Sequence, residues 1–344
     1  MTKSTRRRVM QRPGRRKQKI EGSASLERKP TSSSLVKSEQ PLQTVEVLLA
    51  QNLTPNLFFT ALFSACAACS SGDVAGSSVL AGDASVLDAS VADAAPLCAL
   101  DALPLFVDST SSVPSRVHVP VTSGGASAVL LMDTGSNVTF LQEPAGTTDP
   151  LPDAGAFTIG CRNLSVIGRP GATDSPVKGL PSIGTFGTDM FLAGPTKVDF
   201  AASTITSHLP GSPFTEAAAW PNAPFDLGKG LVLAHVSLDG TPVRLLLDTA
   251  SNHTLWLGQQ PQPTDVEVDV TDPQGNTVKL YFGSADLTIG SLHGAVPVLR
   301  APSYPYLEQT AQALGGNVAG LLGLSSLGSQ FIVDGDASLV RSNH

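Results

Sequence analysis

The chain has 344 residues, of which 41% are hydrophobic and 15% charged, and its 32 glycines and 26 prolines suit a folded core with many turns. The net charge of −7 combines a basic segment, 1–40, which holds 12 Lys and Arg against 3 Asp and Glu, with an acidic remainder, which holds 10 against 26. A length of this order has room for two domains beside tails, and an acidic body argues against a nucleic-acid partner.

The chain begins with a basic extension, 1–56, that lacks hydrophobic periodicity, and we expect it to be disordered or removed. The next segment, 57–69, contains a short apolar run, small residues and two cysteines, and its apolar run is too short to span a bilayer. This segment resembles a bacterial lipoprotein signal, although more than fifty residues precede it. The alternative is a buried apolar helix that ends in a cysteine.

The resemblance to a lipoprotein signal implies a lipid on Cys66, or on Cys69, and an anchor in a membrane of the bacterial cell envelope. The mature chain would then face the periplasm or the exterior. The residue after Cys66 is Ala67, and the lack of an aspartate there favours the outer membrane.

Residues 70–96 are rich in small residues and of low complexity, so we expect a flexible tether, with a frayed helix as the alternative. Cys98 and Cys161 are the remaining cysteines. In an exported chain, such a pair predicts a disulfide, and two separate buried thiols are the alternative.

Beyond the tether the pattern is one of strands and turns. Residues 116–121 alternate in polarity before a Gly-Gly turn, and 231–238 do the same before an Asp-Gly hairpin turn. Further matched segments follow in the same order in both halves, so the simplest account is a tandem duplication. We place the two lobes at 97–212 and 225–344.

One short motif occurs in both lobes, as Asp133-Thr134-Gly135-Ser136 and as Asp248-Thr249-Ala250-Ser251. Each copy follows an apolar strand, and the two aspartates lie 115 residues apart, about one small domain. Further along the chain, each lobe has a second matched segment, in which two residues are followed by a glycine. These segments are Thr185-Phe186-Gly187 and Leu321-Leu322-Gly323.

These paired motifs resemble the aspartic peptidases, both the bilobed pepsin-like enzymes and the retropepsins. The resemblance implies an all-β fold of two tandem retropepsin-like β-barrel lobes, with the active site between them. It implies that Asp133 and Asp248 are catalytic and that the hydroxyls of Thr134 and Thr249 cross-bond the two loops. Ser136 and Ser251 match residues that hydrogen-bond the aspartates, and Gly135 matches a glycine that lets the backbone bend and approach substrate.

Two neighbouring carboxylates cannot both ionise cheaply, so they share one proton and titrate as a unit. The ionised member takes a proton from water and the protonated member donates to the scissile carbonyl. The resemblance therefore implies an exported aspartic endopeptidase that acts on peptides or proteins as a monomer, with no metal or other cofactor.

Ala250 departs from the family pattern, which has glycine there. If this loop requires a positive φ, alanine costs about 1 kcal/mol or more. A long hairpin with its turn at 272–276 is predicted in the second lobe, and we expect it to close over substrate as a flap. The flap candidates are Gln274, Gly275 and Tyr281, and the alternative is an ordinary exposed hairpin.

Two other functions stay open from the sequence. A non-catalytic β-barrel of the same fold would bind peptide or another ligand in the cleft, and Ala250 is its best support. In a structural surface lipoprotein, the paired loops would only hold the lobes together. Loss of folding on mutation of Asp133 would favour this third function.

Overall fold

The regular secondary structure of the described residues is almost entirely β-strand, with two short α-helices, which confirms the predicted all-β class with barrel lobes. The computed structural model describes residues 98–108, 116–143, 151–170, 175–272 and 274–343. The segments predicted at 1–56, 57–69 and 70–96, with Cys66 and Cys69, lie outside the described residues. Within the described part of the chain, no helix is long and apolar enough to cross a membrane.

The first lobe is a barrel in which the strand order is β2-β3-β4-β8-β5-β7-β6, and pairing of β3 with β6 closes it. Its strands are β2 (Phe106–Asp108), β3 (Arg116–Ser123), β4 (Ala126–Met132), β5 (Phe140–Glu143), β6 (Leu151–Ile159), β7 (Arg162–Pro170) and β8 (Ser182–Phe186). The short helix α1 (Thr188–Leu192) follows the last strand. Alternate residues of a strand point to opposite faces of the sheet. In β3, for example, Val117, Val119 and Val121 share one face and are buried.

The second lobe repeats this barrel with the order β12-β13-β18-β14-β17-β16-β15, closed by pairing of β12 with β16. Its strands are β12 (Leu231–Leu238), β13 (Thr241–Leu247), β14 (Thr254–Leu257), β15 (Val266–Thr271), β16 (Thr277–Ile289), β17 (Leu292–Ala301) and β18 (Gly320–Leu322). Helix α2 (Pro305–Ala313) precedes β18, and a 3₁₀ helix, Leu324–Ser326, follows it at the place of α1.

The two barrels pair their strands in the same way. In each, the strand that ends at the aspartate runs parallel to a later strand, β4 with β8 and β13 with β18. The strand after the aspartate loop lies antiparallel to that same later strand in both lobes. Strand β15 has no counterpart among the described first-lobe strands, so the second lobe adds one strand to the shared plan, and this strand forms a hairpin with β16.

A six-stranded antiparallel sheet joins the lobes, in the order β1-β10-β9-β19-β20-β11. Its strands are β1 (Leu100–Pro104), β9 (Thr196–Asp199), β10 (Thr204–Ser207), β11 (Asn222–Gly228), β19 (Gln330–Asp334) and β20 (Leu339–Asn343), and a 3₁₀ helix, Thr215–Ala217, lies between the halves. Each half contributes the strand before its barrel and two strands after it. At the centre, β9 pairs with β19, so the joint is built from both halves of the chain.

The hydrophobic core is continuous between the lobes. Phe191 on α1 stacks on Phe331 of the joining sheet, with ring centroids 6.5 Å apart. A separate cluster in the second lobe packs the hairpin residues Val278 and Leu280 with Tyr304 and other residues around α2. Burial of this apolar surface is the main stabilising contribution to such a fold.

A disulfide joins Cys98 to Cys161, whose Cα atoms lie 6.3 Å apart. It ties the residues before β1 to the turn between β6 and β7. Arg162 donates from Nε to the carbonyl of Cys98 at 2.9 Å, so the same corner is held covalently and by a hydrogen bond.

A buried ion pair fixes the base of the hairpin. The Arg300 side chain on β17 is 2% exposed and donates from Nη1 to both carboxylate oxygens of Asp265, each at 3.0 Å. Its Nη2 donates to the Ser284 carbonyl at 2.7 Å. Asp265 immediately precedes β15 and its side chain is 1% exposed, so the pair clamps both strands of the hairpin to the barrel.

We expect Arg300→Leu to lower the free energy of unfolding by about 3 to 5 kcal/mol, because it leaves the Asp265 carboxylate buried without its partner. Urea unfolding measures this change. The matched control is Lys279→Leu, which breaks an exposed pair with Glu267 and should change stability little. We expect the double variant Arg300→Leu/Asp265→Leu to recover stability. An Arg300→Leu protein as stable as the parent would contradict this prediction.

Candidate active site

The two aspartates lie at equivalent ends of two equivalent strands. Asp133 follows β4 and Asp248 follows β13, and they are only 1% and 2% exposed. The backbone N–H of Asp133 donates to the carbonyl of Phe186 at 3.0 Å, and that of Asp248 donates to the carbonyl of Leu322 at 3.1 Å. The parallel strands β8 and β18 therefore set where each carboxylate leaves its barrel.

The threonines after the aspartates bond the two loops to each other, as the sequence predicted. The backbone N–H of Thr134 donates to the hydroxyl of Thr249 at 3.0 Å, and the reverse bond is also 3.0 Å. Each hydroxyl donates in turn across the interface, to the carbonyls of Leu247 and Met132. These four bonds are buried, so the relative position of the loops is held tightly.

The geometry at Gly135 shows that the two carboxyl groups are close. A Cβ placed on Gly135 would lie 3.0 Å from Oδ1 of Asp133 and 3.3 Å from Oδ1 of Asp248. Both inner oxygens thus lie within 3.3 Å of one point. Each also accepts a backbone N–H from its own loop, from Gly135 at 2.8 Å and from Ala250 at 2.9 Å.

Burial raises the pKa of Asp248 to about 6, against the weaker lowering by backbone N–H groups of Ala250 and Ser251. Removing a carboxylate from water disfavours its charged form, and a second carboxylate nearby adds repulsion when both are ionised. The arrangement therefore favours one proton held between Asp133 and Asp248 over a range of mildly acidic pH.

The serines of the motif hydrogen-bond the aspartates through their backbone N–H groups, while their hydroxyls bond elsewhere. The hydroxyls of Ser136 and Ser251 donate to the carbonyls of Val138 and His253, each at 2.9 Å, not to the aspartates. The serine backbone N–H groups donate to the main-chain carbonyls of the aspartates at 3.2 Å. In this structure the serines stabilise the tight turn of each loop, because a hydroxyl two residues from a carbonyl closes a local ring.

Ala250 sits in its loop without backbone strain. Neither Gly135 nor Ala250 has a positive φ, so the left-handed conformation that would penalise alanine is absent at both positions. The expected conformational cost of Ala250 therefore does not arise. At this position the two loops differ by the methyl group of Ala250, and three residues later Val138 of the first loop is replaced by His253.

A glycine packs behind each loop. A Cβ on Gly187 would lie 2.4 Å from the backbone carbonyl atoms of Val138, and a Cβ on Gly323 would lie 2.5 Å from those of His253. The backbone crosses itself so closely at these two points that only glycine fits.

A second layer of polar residues, which the sequence motifs did not predict, supports the two loops through hydrogen bonds. The hydroxyl of Thr139 donates to Asp189 at 2.7 Å and accepts the N–H of Gly187 at 3.0 Å. In the second lobe, the hydroxyl of Thr254 bonds to Ser326 at 2.6 Å and accepts the N–H of Gly323. The available signal was a threonine repeated six residues after each aspartate.

The hairpin does not join the hydrogen bonds of the aspartates within the described residues. Gln274 and Gly275 lie at its tip, where the Asp272 carboxylate accepts the backbone N–H of Gln274 at 2.9 Å. Tyr281 is half-buried on β16. In the strand register it lies opposite Glu267 of β15 and opposite Arg300 of β17. The buried face of the hairpin packs in the cluster around α2, so a flap role for it stays a prediction.

The described ranges contain no group of three or more His, Cys, Asp or Glu side chains that could hold a metal ion.

Comparisons with known proteins add one structural likeness. No family model and no curated protein matches this chain. Among solved structures, the chain is similar to the crystal structure of an aspartic proteinase from Irpex lacteus. The two share 14% sequence identity with a TM-score of 0.40, and the match covers 71% of this chain and 96% of that chain.

Proposed function

We propose that this protein is an aspartic endopeptidase, which hydrolyses peptide bonds with water activated between Asp133 and Asp248. The observation that supports it is the pair of buried carboxyl groups whose inner oxygens lie within 3.3 Å of one point on two cross-bonded loops. Holding two such groups together is costly for folding, and desolvated acids with a raised pKa are characteristic of active sites.

The mechanism follows from the shared proton. A water molecule between the carboxyl groups gives its proton to the ionised aspartate while its oxygen bonds to the carbonyl carbon of the peptide. The protonated aspartate gives its proton to the carbonyl oxygen. The resulting diol collapses with proton transfer to the leaving nitrogen, and no covalent enzyme intermediate forms.

We also propose that the chain acts outside the cytoplasm, as a monomer anchored through a lipid on Cys66 or Cys69. The Cys98–Cys161 disulfide supports this location, because disulfides persist in oxidising compartments. The anchor would hold the lobes at a membrane of the cell envelope, facing the periplasm or the exterior. Mass spectrometry of the membrane fraction would detect the lipid-bearing cysteine.

The pH profile of cleavage tests the enzymatic proposal. We expect the purified protein to cleave an unfolded protein substrate at mildly acidic pH and to lose activity as pH rises through about 6, since the pair of aspartates then loses the shared proton that one of them must donate. A peptide with a secondary alcohol in place of the scissile carbonyl should inhibit, because it mimics the tetrahedral state.

A well-folded protein that cleaves nothing between pH 3 and 7 would contradict this proposal. If that protein still bound the alcohol-bearing peptide, the non-catalytic binding function would replace it. Ala250, which stands where the resembled family has glycine, is the feature that favours that second function.

A further inference from the structure

The turn between β11 and β12 of the second lobe contacts the active-site loop of the first lobe. The side chain of Asn137, four residues after Asp133, donates from Nδ2 to the backbone carbonyl of Lys229 at 3.3 Å. A Cβ placed on Gly230, the next residue of the turn, would lie 3.6 Å from the Cβ of Asn137. The turn therefore belongs to the surroundings of the first loop, although the second lobe supplies it.

The backbone of this turn is one that lysine adopts reluctantly. Lys229 and Gly230 both have positive φ, 50° and 79°. They form the tight two-residue connection between Gly228 of β11 and Leu231 of β12, which are paired in register. Asn, Asp and Gly are the residues favoured at the first position of such a turn. A residue in a disfavoured conformation next to an active-site loop points to a functional side chain.

The ammonium group of Lys229 is exposed and forms no ion pair within the described part of the chain. Each of the other three described lysines has a partner. Lys178 lies over an aromatic ring at 4.6 Å, and Lys197 and Lys279 each pair with a glutamate. The acid nearest to Lys229 in sequence, Asp226, already binds an arginine at 2.6 Å and a histidine at 3.0 Å. Lys229 thus keeps its charge available for a carboxylate from outside the chain.

We propose that Lys229 is a specificity-determining residue, whose ammonium group binds an acidic side chain of the substrate. The proposal rests on the proposed peptidase function, which places the scissile bond at Asp133 and Asp248 and the adjoining substrate residues along the two loops. The residues on the first-loop side then pass the turn that Asn137 holds. Lysine carries a compact charge on a flexible four-carbon stem, so it can follow an aspartate or glutamate at a neighbouring position.

The expected preference is local to one position of the substrate. Residues 41–344 hold 10 Lys and Arg against 26 Asp and Glu, so the field of the whole protein disfavours acidic peptides. In the first lobe, β2 pairs with β3 as β11 pairs with β12. The connection between β2 and β3, 109–115, lies outside the described residues, and its sequence has only Ser, Thr, Val and Pro. The first lobe therefore supplies no matching lysine, and the preference should occur on one side of the scissile bond.

The test compares glutamate with glutamine at each position of one peptide sequence. Cleavage is measured on the peptides themselves, and binding is measured on the same peptides with a secondary alcohol in place of the scissile carbonyl. At one position, glutamate should raise kcat/KM and lower Kd by about three- to five-fold, as for a partly exposed ion pair. This difference should shrink at high salt. Lys229→Gln should remove it, Lys229→Glu should reverse it and Lys229→Arg should keep it.

Lys178→Gln is the matched control. Lys178 has a φ of 50° and is followed by a glycine with a φ of 80°, so it occupies the same kind of turn. That turn precedes β8, whose far end at Phe186 supports Asp133. This variant should keep the preference of the parent.

The outcomes separate this inference from the peptidase function. A protein that cleaves the peptides without preferring glutamate at any position, or whose preference survives in Lys229→Gln, would overturn the inference and leave the peptidase function in place. If the protein cleaves no peptide but binds the alcohol-bearing peptides with a preference that depends on Lys229, the peptidase function fails and the inference stands. A protein that neither cleaves nor binds any of them would overturn both.

Discussion

Asp248→Asn is expected to abolish peptide hydrolysis and at the same time to stabilise the fold at neutral pH. The amide can neither donate the acidic proton nor form the shared-proton pair, so activity should fall by about 10³-fold or more. The folded pKa of about 6 lies above the ordinary value of 3.8. The buried carboxylate therefore destabilises the fold above pH 6, and the effect fades as pH falls toward 4, where both folded and unfolded forms are protonated.

This shift corresponds to about 2 to 3 kcal/mol. Urea unfolding of parent and variant at pH 7 and at pH 3.5 would show the gain at the higher pH alone. Asp133→Asn should lose activity to the same degree, because the pair works as a unit. Asp101→Asn, which changes an exposed acid on β1, is the control and should alter neither property. A fully active Asp248→Asn protein would refute the catalytic pair, and unfolding of the variant would favour a purely structural role.

Gly323→Ala is expected to lower the free energy of unfolding by about 3 kcal/mol or more. The added Cβ would lie 2.5 Å from the carbonyl carbon and oxygen of His253 and 2.9 Å from its nitrogen. These are backbone atoms in the active-site loop, so they cannot move aside without displacing Asp248. The φ of −88° at Gly323 is open to any residue, which makes the effect steric and not conformational.

Gly294→Ala is the matched control, because a Cβ there meets no atom within 4 Å. Its stability should stay near that of the parent. Urea midpoints and cleavage rates of both variants measure the effect, and Gly187→Ala should behave as Gly323→Ala does. A Gly323→Ala protein with parental stability would show that the loop relaxes more easily than this packing implies.

Much of this fold could be predicted from local patterns. The alternating strands, the Gly-Gly and Asp-Gly turns and the two Asp-Thr motifs are encoded by neighbouring residues, and the repeat of one plan in each half indicated two lobes. That each lobe is a barrel was implied by the family resemblance. The cross-bonds of Thr134 and Thr249 came from the family resemblance, and the structure contains them.

Other features of the candidate site depend on where distant segments meet. The serine hydroxyls bond to carbonyls two residues away, and the serines bond the aspartates through their backbone N–H groups. Asp189 supports the first loop through Thr139 although fifty residues separate them. The hairpin packs against the α2 region, a contact that no pattern within the hairpin predicts.

The sequence by itself determined the all-β class, the two lobes and the identity of the paired aspartates, because each depends on periodicity or on a short repeated motif. Only the tertiary structure decided that six strands from both halves form one joining sheet, and that the carboxyl groups come within reach of one point. The physical reason is that strand pairing and carboxylate distance are set by contacts between residues far apart in the chain, whose register no local pattern records.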